Sequence, residues 1–168
     1  MGGYNFVGTI PGQPNGTVIS YYIGIEDING TVSNVQPSGA NDIEPNLPFY
    51  VLVGFNKLFT EDFDFAAGAW TEGLSGDNAT TGIWEQNVPE QTDVNGIVVQ
   101  PGFQHTPGGQ ICYVTGAASL GAAGGNDIDN GKTTLQSPTF DLTGYTNPTF
   151  EYYRWYTNDQ GATPKTDY

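Results

Sequence analysis

The sequence predicts an all-β protein: a jelly-roll-like β-sandwich preceded by a partial immunoglobulin-like β module. Three observations carry this. Glycine and proline number 24 and 11 among 168 residues, enough to punctuate many short strands with turns. Tyrosine and phenylalanine are plentiful while lysine, arginine and methionine are scarce, a balance that favours strands over helices. No segment repeats its apolar residues at the helical period; they alternate instead.

In "TVISYYIGIEDING", Ile19, Tyr21, Ile23 and Ile25 fall on one face and Ser20, Tyr22, Gly24 and Glu26 on the other, the pattern of a half-buried strand. Asn15-Gly16 before it and Asn29-Gly30 after it supply tight turns. "PFYVLVG" is apolar on both faces and, with "YNFVGTI", brings residues 1–54 to roughly three or four strands. An immunoglobulin-like sandwich needs about seven, so this segment is expected to be part of a module. From Lys57 the rhythm changes. "LFTEDFDF", "TGIWEQ", "QICYVTG", "TTLQSPTFDL" and "NPTFEYYRWYTN" are strand-like runs between long polar loops, which suits a jelly roll over residues 57–168. About five or six strands are counted where a jelly roll has eight. The second module is therefore expected to be cut short at its C-terminal end, leaving an open sheet edge through which copies would associate.

Four Lys and Arg against 18 Asp and Glu give a formal charge of −14. Such a field repels phosphate backbones and anionic lipid, so nucleic acid and membrane surfaces are poor partners, whereas divalent cations are attracted. No apolar run approaches bilayer length, so membrane insertion is not expected. Cys112 is the sole cysteine, which excludes an internal disulfide, and its apolar, β-prone neighbours in "GGQICYVTG" place it as a strand thiol rather than a nucleophile. "MGGYNFVGTI" has neither a basic nor an apolar leader region.

The runs "YNFVGTIPGQPNGTVISYYIGIEDING", "PFYVLVG", "DNATTGIWEQNVPEQT", "VVQPGFQHTPGGQICYVTG" and "GGNDIDNGKTTLQSPTFDLTGYTNPTFEYYRWYTND" together resemble the C-terminal accessory region of secreted bacterial zinc carboxypeptidase-like metallopeptidases. There, an immunoglobulin- or fibronectin-like tail precedes a jelly roll of the MAM and galactose-binding-like kind. The resemblance implies a secreted or cell-surface parent whose signal peptide and catalytic domain lie upstream. It transfers no peptidase activity: no HxxE-type motif is present, and a single histidine, His105, does not build a His-rich zinc centre.

Two groups of residues invite chemistry. The loop "NDIDNG" sets Asn126, Asp127, Asp129 and Asn130 within five positions, oxygen donors of the kind Ca²⁺ takes six to eight at a time. It lacks the EF-hand pattern, because the fifth and sixth places counted from Asp127 are Gly131 and Lys132. Asp and Asn beside glycine equally make plain turns, and both readings stand. The resemblance implies a structural Ca²⁺ site joined by an acidic residue of the opening strand, and the matching positions are Asp62 and Asp64, which would share a strand face. Asp77 and Asp141 are weaker candidates.

The second group is "FEYYRWY". Phe150, Tyr152, Arg154 and Tyr156 share one face, while Glu151, Tyr153, Trp155 and Thr157 share the other. Such a run is either a doubly covered core strand or an exposed aromatic platform that stacks on sugar rings. Tyr153, Trp155 and Trp84 are the candidate ligand-binding rings, with core packing as the alternative for each, and for Trp70. His105, in a Pro/Gly loop, is expected at the surface. No Ser-His-Asp arrangement, phosphate loop or carboxylate pair free of a turn or calcium explanation is evident. The functional expectation is a non-catalytic adhesion or substrate-targeting region stabilised by calcium and binding a glycan or a cell-surface protein. A dedicated carbohydrate-binding module is the alternative, and a hydrolase ranks third.

Overall fold

Asn15-Gly16 turns the chain into its first strand. Gly16, at φ 84°, is in the left-handed region that glycine enters without a Cβ penalty, and its N–H reaches the Val53 carbonyl at 2.7 Å. In this computed structural model the described residues are 6–30, 32–36, 48–65, 68–94, 96–117 and 128–156, with backbone alone at 32–36, 97 and 99. Every regular element among them is a β-strand, so the all-β class holds. The chain divides into two units, Met1–Leu58 and Phe59–Tyr168.

In the first unit, β1 (Thr17–Tyr21) pairs antiparallel with β4 (Phe49–Val53), and β2 (Ile23–Glu26) with β3 (Val32–Gln36). The alternation read from the sequence holds in β1, where Thr17, Ile19 and Tyr21 are the more covered residues and Val18 and Ser20 the exposed ones. Opposite Tyr21 in register lies Phe49, and their rings meet at 5.4 Å, a cross-strand pair of the kind that stabilises sheets. The expected single long strand is in fact two. It changes partner at Tyr22, from β4 to β3, and Ile23 and Ile25 are 54% and 58% exposed, so the apolar stripe is not continuous. Asn29 and Gly30 close the β2–β3 turn through Asp27: the Asn29 N–H donates to Asp27 Oδ1 at 2.8 Å and the Gly30 N–H to the Asp27 carbonyl at 3.0 Å.

In the second unit, β6 (Trp84–Asn87) pairs with β9 (Cys112–Thr115), β7 (Thr92–Val94) with β8 (Ile97–Gln100), and β5 (Thr71–Glu72) with β10 (Leu135–Gln136), all antiparallel. The most covered apolar side chain among the described residues is Val114 of β9. Cys112 shares that strand, half-buried, and burial, with the Asp64 carboxylate as a smaller cause, pushes its thiol pKa up, which keeps it protonated and unreactive. Beside Val114, Tyr113 joins an aromatic cluster. The Phe63 ring meets Trp70 edge-on at 5.3 Å and Tyr113 edge-on at 5.2 Å, the geometry the ring quadrupole favours.

Two expected strands are absent. "LFTEDFDF" forms a bend around Asp62 and Asp64, because its acidic side chains take the backbone N–H groups that a ladder would use. The Phe63 N–H donates to Glu61 Oε1 at 3.1 Å and the Asp64 N–H to Asp62 Oδ1 at 3.2 Å. Phe63 accordingly sits at φ 64°, costly for an aromatic residue, and its wedged ring and bonded backbone hold it there. Residues 150–156 are likewise not a strand.

Candidate functional site

Although 150–156 is no strand, its side chains sort as an extended chain requires. On one face Phe150 meets Tyr152 at 5.9 Å, and the Arg154 guanidinium lies 5.6 Å over the Tyr156 ring. On the other, Tyr153 stacks flat on His105, with centroids 3.4 Å apart and planes 10° from parallel, while Trp155 meets Phe103 edge-on at 6.2 Å. Residue 155 beside 103 and 153 beside 105 means that the two segments run antiparallel. The product is a patch of four rings. Phe103 and Tyr153 are each 64% exposed and Trp155 48%, and His105 is exposed as expected.

Trp84 does not join this patch. It stands half-buried in β6, its N–H donating to Thr133 Oγ1 at 3.1 Å, and it makes no ring contact with Tyr153 or Trp155. Phe103 and His105 were not singled out as partners of Tyr153 and Trp155. The signal was present in their two-residue spacing, which matches that of Tyr153 and Trp155, but nothing local to "PGFQHTPGG" says which segment lies beside it.

The carboxylates fall into separate hydrogen-bonded groups. Asp64 Oδ1 accepts the N–H groups of Gln110 at 2.6 Å and Ile111 at 2.8 Å. Those two donors, foremost Gln110, with help from the Gln104 side chain and against the upward push of burial, hold its carboxyl below the usual range. Gln104, 7% exposed, completes the knot: its Oε1 accepts the Thr106 N–H at 3.3 Å and its Nε2 donates to the Asp62 carbonyl at 3.4 Å. Gln86 Nε2 pins the same bend through the Phe63 and Phe65 carbonyls, at 2.7 and 2.8 Å. The expected pairing of Asp62 and Asp64 on a strand face is thus corrected, because Asp62 caps the N–H of Asp64 while Asp64 turns to the 110–111 backbone.

The acidic loop is joined to the segment 74–81. Asp77 accepts from the Leu74 N–H at 3.0 Å, the Thr134 N–H at 2.7 Å and the Thr134 hydroxyl at 2.9 Å. Its carboxyl is held low chiefly by Leu74, opposed by burial, with further help from Thr134 and the Lys132 charge. The Lys132 carbonyl accepts from Asn78 and Ala79, and the Asp129 carbonyl from Thr80 N–H at 3.0 Å. Asp129 forms a bridge with Thr81 and is exposed; Asp127 lies outside the described residues. Asp141 caps the Thr143 N–H at 2.9 Å in a turn. Among the described residues no three His, Cys, Asp or Glu side chains gather as a metal site. N–H donors already serve Asp64, Asp77 and Asp141, so an ion at this loop would draw on Asp127 and Asp129.

The lowered carboxyls make the second unit sensitive to acid. A folded pKa below the unfolded value of about 3.9 contributes stability that is complete above that pH and lost as pH falls through the lowered value. The melting temperature is therefore expected to fall below about pH 4. In an Asp64→Asn/Asp77→Asn double variant it should start several degrees lower at neutral pH and fall less on acidification, as thermal melts across the pH range would record. Parallel pH curves for the two proteins would refute this assignment.

Compared with protein-family models, curated proteins and solved structures, the chain finds no match.

Proposed function

We propose that this chain is a non-catalytic binding region of a secreted or cell-surface bacterial protein, an adhesion or substrate-targeting module that holds carbohydrate on the Phe103–His105–Tyr153–Trp155 patch. The observation that carries the proposal is the flat Tyr153–His105 stack beside an exposed Trp155. Exposed rings held in place by neighbouring rings are pre-organised to stack on the C–H faces of a sugar, at little cost in side-chain freedom. A chain of net charge −14 disfavours acidic polymers, so the ligand expected is a neutral glycan.

The carboxyls favour binding over hydrolysis. A glycosidase needs one carboxyl with a raised pKa to protonate the leaving group, whereas Asp64, Asp77 and Asp141 are all lowered. The surface depression in the first unit, lined by Ser20, Tyr21, Tyr22 and Pro48, contains no carboxyl. The deciding experiment is retention on insoluble neutral polysaccharides and a glycan array, with reducing ends assayed in parallel. Retention without release supports the proposal, release of reducing ends replaces it with a hydrolase, and no retention on any glycan removes it.

Calcium enters this proposal as a stabiliser of the loop bearing Asp127 and Asp129. With a dissociation constant near 10⁻⁴ M, typical of extracellular modules at their tighter end, about 5 mM Ca²⁺ would add about 2 kcal/mol to the folded state. Melting of metal-stripped protein with and without Ca²⁺ should then differ by roughly 8–16 °C. Superimposable curves would take calcium out of the proposal and leave the aromatic patch untouched.

A further inference from the structure

Four Asn-Gly pairs occur in the sequence, at 15–16, 29–30, 95–96 and 130–131. This dipeptide is chemically fragile because the following backbone nitrogen, unhindered by a side chain, reaches the asparagine amide carbon. The structure treats the four unequally. The Gly16 N–H is held by the Val53 carbonyl at 2.7 Å and the Gly30 N–H by the Asp27 carbonyl at 3.0 Å, and the Gly96 N–H by Asp93 Oδ1 at 3.3 Å. Gly131, exposed like Asn130, has no acceptor for its N–H among the described residues.

We infer that Asn130-Gly131 is the site at which the folded protein modifies itself, by deamidation. The Gly131 nitrogen attacks Asn130 Cγ. The new N–Cγ bond replaces the Cγ–Nδ2 bond, and ammonia leaves with the proton that Gly131 gives up. Water then opens the resulting succinimide at one carbonyl or the other, giving aspartate or isoaspartate at position 130. At the other two described pairs a backbone hydrogen bond must first open before the nitrogen is available, which slows attack roughly fivefold for a bond worth about 1 kcal/mol.

The fold requires this fragile pair. Asn130 sits at φ 58°, a conformation asparagine tolerates better than most residues. A Cβ on Gly131 would fall 2.5 Å from Asn78 Oδ1 and 2.8 Å from the Ala79 nitrogen, so no larger residue fits there without displacing the 78–79 backbone. Reaction removes the Asn130 Nδ2 donor that bonds Thr80 Oγ1 at 3.3 Å and adds a negative charge beside Asp129. In the isoaspartyl product the main chain also lengthens within the segment where the Lys132 N–H meets Asn78 Oδ1 at 3.3 Å. Age would thus loosen the connection between the acidic loop and the 78–80 segment.

The test is incubation of the folded chain at mildly alkaline pH, followed by peptide mapping that locates each amide-to-acid conversion and separates aspartate from isoaspartate. Conversion at Asn130 is expected roughly fivefold or more ahead of Asn15 and Asn29, with that lead lost in denaturant, where all the Asn-Gly pairs react alike. Equal rates in the folded protein, or a lead that persists in denaturant, would overturn the inference. The first outcome would mean that the held N–H groups give no protection. The second would mean that local sequence, and not the fold, chooses the site.

Discussion

Trp70→Ala is expected to destabilise the second unit by about 3 kcal/mol, at the lower end of the range for aromatic truncations because the residue is only half-buried. The cluster of Phe63, Trp70 and Tyr113 is where rings from the 59–65 bend, the approach to β5 and strand β9 converge, and the described residues offer little other buried apolar packing near it beyond Val114. Removing the indole leaves Phe63, already at positive φ, without the ring it abuts. Trp70→Phe should behave differently. The indole Nε1 is buried with no hydrogen-bond acceptor, a burden of about 1–3 kcal/mol, and phenylalanine removes that N–H while keeping a ring against Phe63. The loss of area and the relief of the unpaired donor nearly cancel, so Trp70→Phe is expected within about 1 kcal/mol of the original protein. Denaturant unfolding of the three proteins checks both values. Equal destabilisation by the two substitutions would mean that the indole nitrogen has a partner and that the cluster depends on it.

What the sequence made legible, and what it did not, follows from the range of the interactions involved. Alternation is a property of the backbone itself, so the inward set Thr17, Ile19 and Tyr21 in β1 and the two faces of 150–156 could be read directly. Asn15-Gly16 and Asn29-Gly30 announced their turns for the same reason. Partner choice was not legible. Nothing in "TVISYYIGIEDING" says that pairing switches at Tyr22, and nothing in "TEDFDF" says that Gln86, Gln104 and the 110–111 N–H groups converge on it from 21 to 47 positions away. A warning was nonetheless present: acidic residues two positions before a backbone N–H compete with a ladder, and Glu61, Asp62 and Asp64 crowd such positions. The choice between cation loop and polar turn was left open by composition. The hydrogen bonds of Asp77, Asn78, Thr80, Asp129 and Lys132 demonstrate the turn chemistry, which coexists with an ion at Asp127 and Asp129 only if the exposed Asp129 carboxylate takes part.

The aromatic patch yields the other large effect. Trp155→Ala and Tyr153→Ala are each expected to weaken neutral-glycan binding by about 30-fold, corresponding to a hot-spot loss of about 2 kcal/mol. Both side chains are largely exposed, so their loss should change folding stability by no more than about 0.5 kcal/mol. His105→Ala should fall between these variants and the original, because it removes the ring on which Tyr153 rests rather than the ring that meets the sugar. Tyr152→Ala serves as the control: equally exposed, at 59%, it occupies the opposite face with Phe150 and should leave affinity unchanged. Titration calorimetry against an oligosaccharide identified by the array supplies the affinities, and thermal melts supply the stabilities. Loss of folding in the Tyr153 and Trp155 variants would return these rings to a packing role. Loss of binding in the Tyr152 variant as well would mean that the whole segment, not one face of it, is what the ligand contacts. The face-specific pattern alone separates a sugar platform from a length of sticky aromatic chain, because stacking demands a particular set of rings held in one plane whereas non-specific adhesion scales with exposed apolar area wherever it lies.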